Sequence, residues 1–90
     1  MIVYFYGSVP DYNGGVKSCE TPYCRTINEL IVWLGNHFGE DFKKFLPGEG
    51  NSGENCFFLV NGKGTATTGG LNTGLKNDDK IEVLPFIGAG

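Results

Sequence analysis

The clearest chemistry in this 90-residue chain lies at its C-terminal end, where Ile87-Gly88-Ala89-Gly90 carries no charged or bulky side chain after Ile87. A segment without side chains can enter a narrow channel and take backbone angles barred to other residues. A free glycine carboxylate at the end of such a segment is a natural substrate for an activating enzyme. A carboxylate is a poor electrophile until one of its oxygens becomes part of a good leaving group. Residues 87–90 are read as a flexible tail, as small-residue termini commonly are.

The other reactive groups form no comparable constellation. Cys19, Cys24 and Cys56 are odd in number, whereas a secreted disulfide framework usually shows an even set. Reduced thiols in a cytoplasm fit better. Four residues separate Cys19 from Cys24, and the lone His37 is distant in sequence. That ligand set is thin for zinc, and no metal site is assigned. Cys56 is expected in the core, and the other two on a strand and its loop. Asp78 and Asp79 could hold a cation, but a turn of solvated acids is the commoner outcome. No Ser/His/Asp set or paired carboxylate can be placed, which argues against an autonomous enzyme.

These groups need a scaffold, and the sequence describes one. Ile2–Tyr6 is β-branched or aromatic throughout and predicts a strand. The Gly- and Asn-rich stretch 7–15 predicts a long turn, with a second strand over Val16–Glu20. Thr26-Ile27-Asn28-Glu29 is a capping box, in which the Thr26 hydroxyl accepts from the Glu29 N–H and the Glu29 side chain reaches back to Thr26. Ile27, Leu30, Ile31, Leu34 and Phe38 follow at helical spacing, predicting a helix over 27–38 that stops at Gly39. A further helical turn is expected over Asp41–Leu46. Phe57–Val60 reads as a strand closed by the turn dipeptide Asn61-Gly62. Lys76–Asp79 is a turn, Lys80–Phe86 is the last strand, and another short strand is expected near Thr65–Thr68. Strands flanking one good helix imply an α+β fold with the helix on one face of a mixed sheet. The expected core is Val3, Phe5, Leu30, Ile31, Leu34, Val60, Ile81 and Val83.

Strand alternation puts Ile81, Val83 and Pro85 on one face, and Lys80, Glu82, Leu84 and Phe86 on the other. Val3 and Phe5 then face the helix and Tyr4 and Tyr6 face outward. Tyr4, Tyr6, Leu84 and Phe86 together suggest a partner surface beside the tail.

Composition narrows the partners. Hydrophobic residues make up 40% of the chain and charged residues 19%, a globular balance. The net charge of -3 argues against nucleic acid, whose phosphates need Lys and Arg, and against an acidic membrane surface. No apolar run approaches the roughly 18 residues of a membrane span. Met1–Tyr6 has no basic segment before it and no cleavage-like site near it. The expected location is cytoplasmic.

Two stretches carry a resemblance. Val60-Asn61-Gly62, and then Gly70-Leu71-Asn72-Thr73-Gly74-Leu75-Lys76-Asn77-Asp78-Asp79-Lys80-Ile81-Glu82-Val83-Leu84-Pro85-Phe86-Ile87-Gly88-Ala89-Gly90, resemble the sulfur-carrier family that includes MoaD, the small subunit of molybdopterin synthase, and ThiS. That family shows a VNG strand end, an L-x-x-x-L-x-D-G-D turn, an apolar strand and a P-P-x-x-G-G tail. The N-terminal strand and the Thr26-capped helix occur in the family's order. The resemblance implies a ubiquitin-like β-grasp, residues 1–90 forming a single domain with the tail 87–90. It implies a carrier and co-substrate rather than an enzyme. The terminal glycine would be adenylated by a ubiquitin-activating-type enzyme using ATP, then converted to a thiocarboxylate that donates sulfur to a synthase subunit in molybdopterin- or thiamine-type cofactor biosynthesis. No cofactor would be bound by the chain itself.

Carried over, Gly90 is the adenylate and thiocarboxylate position, Gly88 and Ala89 belong to the tail, Pro85 matches the proline region at the strand end, and Leu84 matches a partner-contacting apolar position. The chain has Ala89-Gly90 where the family has Gly-Gly, and Asn77-Asp78-Asp79 where it often has Asp-Gly-Asp. Asn and Asp tolerate left-handed angles, so the turn is expected to survive. The alternative is a non-catalytic β-grasp interaction module. The β-grasp domain of lambda-type phage tail assembly protein I similarly runs from an apolar strand through a proline into a small-residue A-G-A segment.

Overall fold

The computed structural model describes residues 1–48 and 55–86. The expected elements form, with informative shifts. Strands β1 (Ile2–Phe5), β2 (Ser18–Glu20), β3 (Cys56–Val60), β4 (Lys63–Gly64) and β5 (Lys80–Pro85) make one sheet in the order β2-β1-β5-β3-β4. Helix α1 spans Ile27–Phe38, and α2 spans Glu40–Phe45. β1 runs parallel to β5 at the centre of the sheet, and the β1–β2, β3–β5 and β3–β4 pairs are antiparallel. A mixed sheet grasping one main helix, with its first and last strands parallel at the centre, is the ubiquitin-like β-grasp.

The core sits where the two periodicities meet. Ile27, Leu30, Ile31 and Leu34 of α1 are buried against Val3 and Phe5 of β1, Phe58 of β3, and Ile81 and Val83 of β5. Val60, expected in the core, is only half-buried and packs at its margin, because β3 ends there in the turn to β4. The expectation also missed an aromatic plug. Phe42 of α2 is fully buried and meets the rings of Phe5 and Phe38 edge-on, with centroids 5.6 and 5.3 Å away. Phe45 stacks on Tyr12 at 4.0 Å. A six-residue helix shows too few turns for its apolar stripe to be read by period alone.

The start of α1 follows the sequence. The Glu29 N–H donates to Thr26 Oγ1 at 3.2 Å. The return contact differs from the capping box expected: Glu29 Oε1 accepts from the Arg25 N–H at 3.4 Å, and Oε2 pairs with Arg25 Nε at 3.3 Å. Another of the helix's orphan donors is satisfied from far along the chain, the Ile27 N–H donating to Thr73 O at 3.1 Å. Leu75 N–H returns a 2.8 Å bond to Arg25 O. The small, polar stretch 65–75 is therefore stitched to the helix start. Its extra strand falls earlier than expected, at Lys63–Gly64, and Thr65–Thr67 forms a 3-10 turn instead.

Asn61 (φ 53°) and Gly62 (φ 83°) both take left-handed angles and join Val60 to its partner Lys63, the geometry a tight two-residue hairpin demands. The turn before β5 takes another route. Asn61 is the only described non-glycine residue at positive φ, so Asn77 and Asp78 do not use left-handed angles. The turn is held instead by Asp79, whose N–H donates to Lys76 O at 3.1 Å while its Oδ2 accepts from the Lys76 N–H at 2.7 Å.

Candidate functional site

The outer face of the sheet is built by alternation along its three central strands. β1 contributes Tyr4, and Tyr6 follows it; β5 contributes Lys80, Glu82 and Leu84, with Phe86 after it; β3 contributes Phe57 and Leu59. Register sets Tyr4 beside Glu82, and Phe57 beside Leu84. The Tyr4 and Tyr6 rings stack with centroids 6.5 Å apart, and Lys80 Nζ lies 5.7 Å above the Tyr4 ring. Phe57 and Phe86 approach to 5.0 Å. Tyr6 is 40% exposed and Phe86 44%, values high for large apolar-bodied side chains. All four residues of the expected partner surface therefore share one face, though Tyr4 and Leu84 are half-buried.

The face has two halves. At the β5 start, Lys80 Nζ pairs with Glu82 Oε2 at 3.8 Å. Partial desolvation, and then the neighbouring Glu82 carboxylate, push the Tyr6 phenol up from its ordinary value. At the β5 end, Tyr6, Gly7, Phe57, Leu84 and Pro85 line a shallow, nearly wholly apolar groove of about 440 Å³. Apolar side chains gathered in one groove make it the candidate site for a partner's side chains.

Three of these groove residues were not foreseen. Phe57 follows from the same alternation, applied to β3: Cys56 and Phe58 are buried, so Phe57 faces out. Alternation alone puts Pro85 on the inner face with Ile81 and Val83, but it is half-buried and lines the outer groove. It lacks the N–H that would hold it in the ladder, and β5 ends there. Gly7 has no sequence signal beyond being a glycine. Phe86, the last described residue, donates its N–H to Asn55 O at 3.2 Å. Gly88, Ala89 and Gly90 lie outside the described residues.

The thiols are not organised for chemistry. Cys56 is buried on β3 and its thiol is pushed up to about 12 by burial. Burial also raises Cys24 and Cys19. The thiolate is the reactive form, so these positions suit packing. Among the described residues no group of three His, Cys, Asp or Glu could hold a metal ion. Asp79, considered as a cation ligand, has both carboxylate oxygens engaged, Oδ1 with Asn61 Nδ2 at 2.8 Å and Oδ2 with the Lys76 N–H. His37 stacks on Trp33 at 4.6 Å on α1. Among the described residues no helix is long and apolar enough to cross a membrane.

Comparison with known proteins agrees with this architecture. The ThiS family profile matches residues 3–90. A proposed sulfur carrier protein of Archaeoglobus fulgidus is 29% identical over 65 residues, covering 72% of this chain and 74% of the relative. Among solved structures, CysO of Mycobacterium tuberculosis superposes with a TM-score of 0.77 at 20% identity, covering 96% of this chain and 98% of that one. A chain of the Amycolatopsis orientalis BexX/CysO complex gives 0.79 at 22% identity, covering 99% and 98%. The small archaeal modifier protein 1 of Methanosarcina acetivorans gives 0.76 at 20%, covering 99% and 94%. At these identities the solved structures establish the β-grasp fold.

Proposed function

The chain belongs to the ThiS family, and on that premise we propose that it is a sulfur carrier that acts through its Gly90 carboxylate. The observation that carries this reading is the placement of the apolar groove. Tyr6, Phe57, Leu84 and Pro85 cluster at the end of β5, the strand from which the chain proceeds to residues 87–90. A partner gripping this face would hold the one segment of the chain that has a small-residue, channel-compatible sequence.

In this reading an adenylating enzyme of the ubiquitin-activating type docks on the outer face and supplies ATP. A Gly90 carboxylate oxygen attacks the α-phosphorus, the bond to pyrophosphate breaks, and an acyl-adenylate forms. A sulfur donor of the hydrosulfide class then attacks the acyl carbon, AMP departs with the oxygen, and a thiocarboxylate remains. The thiocarboxylate passes its sulfur to a synthase subunit that docks on the same face. The barrier-lowering groups belong to the partners, and the chain is a carrier and co-substrate. Its three unpaired cysteines suit a reducing cytoplasm.

The test is ATP–pyrophosphate exchange in the presence of the adenylating enzymes of the same cell. The full chain supports exchange, and a chain lacking Gly90 folds but supports none, since terminal residues contribute little to stability. Equal exchange with both chains would refute the reading.

A further inference from the structure

We infer that Gly7 is a positioning residue: by lacking a side chain it seats the Pro85 ring, and so sets the direction in which the chain leaves β5 toward residue 90. This rests on the reading of Gly90 as the activated group. Tyr6 N–H donates to Val83 O at 3.0 Å, which carries the β1–β5 ladder one bond past the strand and brings Gly7 alongside the end of β5. Gly7 then turns at φ +59°, and a Cβ on it would lie 2.8 Å from Pro85 Cγ and 3.0 Å from Cδ. At 2.8 Å something must shift. The pyrrolidine ring is tied into the backbone, so it yields only by repuckering or by moving the end of the strand with it.

Pro85 is sensitive to such a push because it has no N–H to donate. The chain is held on the other side by Phe86, through its bond to Asn55 O and its ring contact with Phe57. The seat and this clip together define one exit direction. Only four residues separate Pro85 from Gly90. Misplacement of a reacting group by even about 1 Å can lower a rate by about 10²-fold.

Gly14 provides the control. It sits at φ +79°, also in the range that side chains rarely adopt, yet a Cβ there meets nothing within 4 Å. Gly14→Ala therefore carries a positive-φ backbone penalty without the ring contact. The experiment measures ATP–pyrophosphate exchange by the adenylating enzyme of the same cell, isolated by its exchange with the wild-type chain. Gly7→Ala is expected to lower kcat by roughly tenfold or more, a fall that a loss of docking alone, which would raise KM at constant kcat, does not give. Gly14→Ala should leave both within about twofold, and in a Pro85→Ala background the Gly7 substitution should lose most of its effect.

An unchanged kcat for Gly7→Ala overturns the inference, as does a raised KM at constant kcat or an equal loss in the Pro85→Ala background. Each of those outcomes leaves the carrier reading standing. If the wild-type chain supports no exchange with any adenylating enzyme of the cell, the carrier reading falls and this inference falls with it. Should Gly7→Ala fail to fold, the comparison moves to Pro85→Ala against the double variant. A double variant that folds and exchanges like Pro85→Ala supports the contact, and one that also fails to fold refutes it.

Discussion

Asn61 Nδ2 donates a 2.8 Å hydrogen bond to Asp79 Oδ1, joining the β3–β4 hairpin to the turn that launches β5. Asn61 is bound twice more to Lys80, the residue after Asp79: the Lys80 N–H donates to Asn61 Oδ1 and the Asn61 N–H donates to Lys80 O, each at 2.9 Å. Two motifs that look independent in sequence are one structural unit, and it registers the strand that carries the tail.

Asp79→Ala should therefore destabilise the fold by about 1–2 kcal/mol, two hydrogen bonds at the low end of their net value because both are solvent-exposed. Calcium or a chelator should leave the melting temperature of the wild-type chain unchanged. A calcium-dependent shift would restore the cation-site reading of Asp78 and Asp79.

Leu34 is fully buried on α1. Leu34→Ala should lower unfolding free energy by about 2–4 kcal/mol, and Phe42→Ala by about 3–5 kcal/mol. Denaturant melts report both. A loss below about 0.5 kcal/mol at Leu34 would contradict its place in the core.

Much of this arrangement was legible in the sequence. The 12 residues of α1 were readable because Thr26 caps them and five apolar residues, Ile27 to Phe38, repeat on one face. The inward and outward sets of β1, and of β5 as far as Leu84, were readable because a period of two leaves no choice once one face is buried; it failed at Pro85, where the ladder ends. What sequence could not supply was contact across the chain. The Thr73 carbonyl at the helix start, the Phe42 plug and the Gly7–Pro85 seat each pair residues far apart, and none leaves a local signature.

The Cys56 thiol gives an alkaline signature. Folding raises it from 9.0 to about 12, so the folded state holds a proton that the unfolded state releases. Its stabilisation is fully present below pH 9 and is lost as pH rises from 9 toward 12, at about 1.4 kcal/mol per pH unit. Cys56→Val should flatten the decline of stability over that range relative to wild type. Parallel curves would show that Cys56 titrates normally.

The outer groove should be where the adenylating enzyme binds. Phe57→Ala and Leu84→Ala are each expected to weaken that complex by roughly tenfold, as loss of a buried apolar anchor does. Val32→Ala, at an exposed position on α1, should leave it unchanged. Calorimetric titration checks this. A larger loss at Val32 than at Phe57 would move the interface to the helix.

Ala89→Gly restores the family's usual pair and should leave the adenylation rate unchanged or raise it, because glycine passes a narrow channel more easily. A fall in rate would show that the partner requires the methyl group.

Conversion of the Gly90 carboxylate to a thiocarboxylate is measured directly by intact-mass spectrometry of the chain after incubation with its adenylating enzyme, ATP and a sulfide donor. The expected result is a mass gain equal to the exchange of one oxygen for sulfur, located at Gly90 by fragmentation and absent from a chain lacking that residue. An unchanged mass, or a modification found on a lysine or on Cys19 instead, would contradict it and leave the β-grasp interaction module in its place.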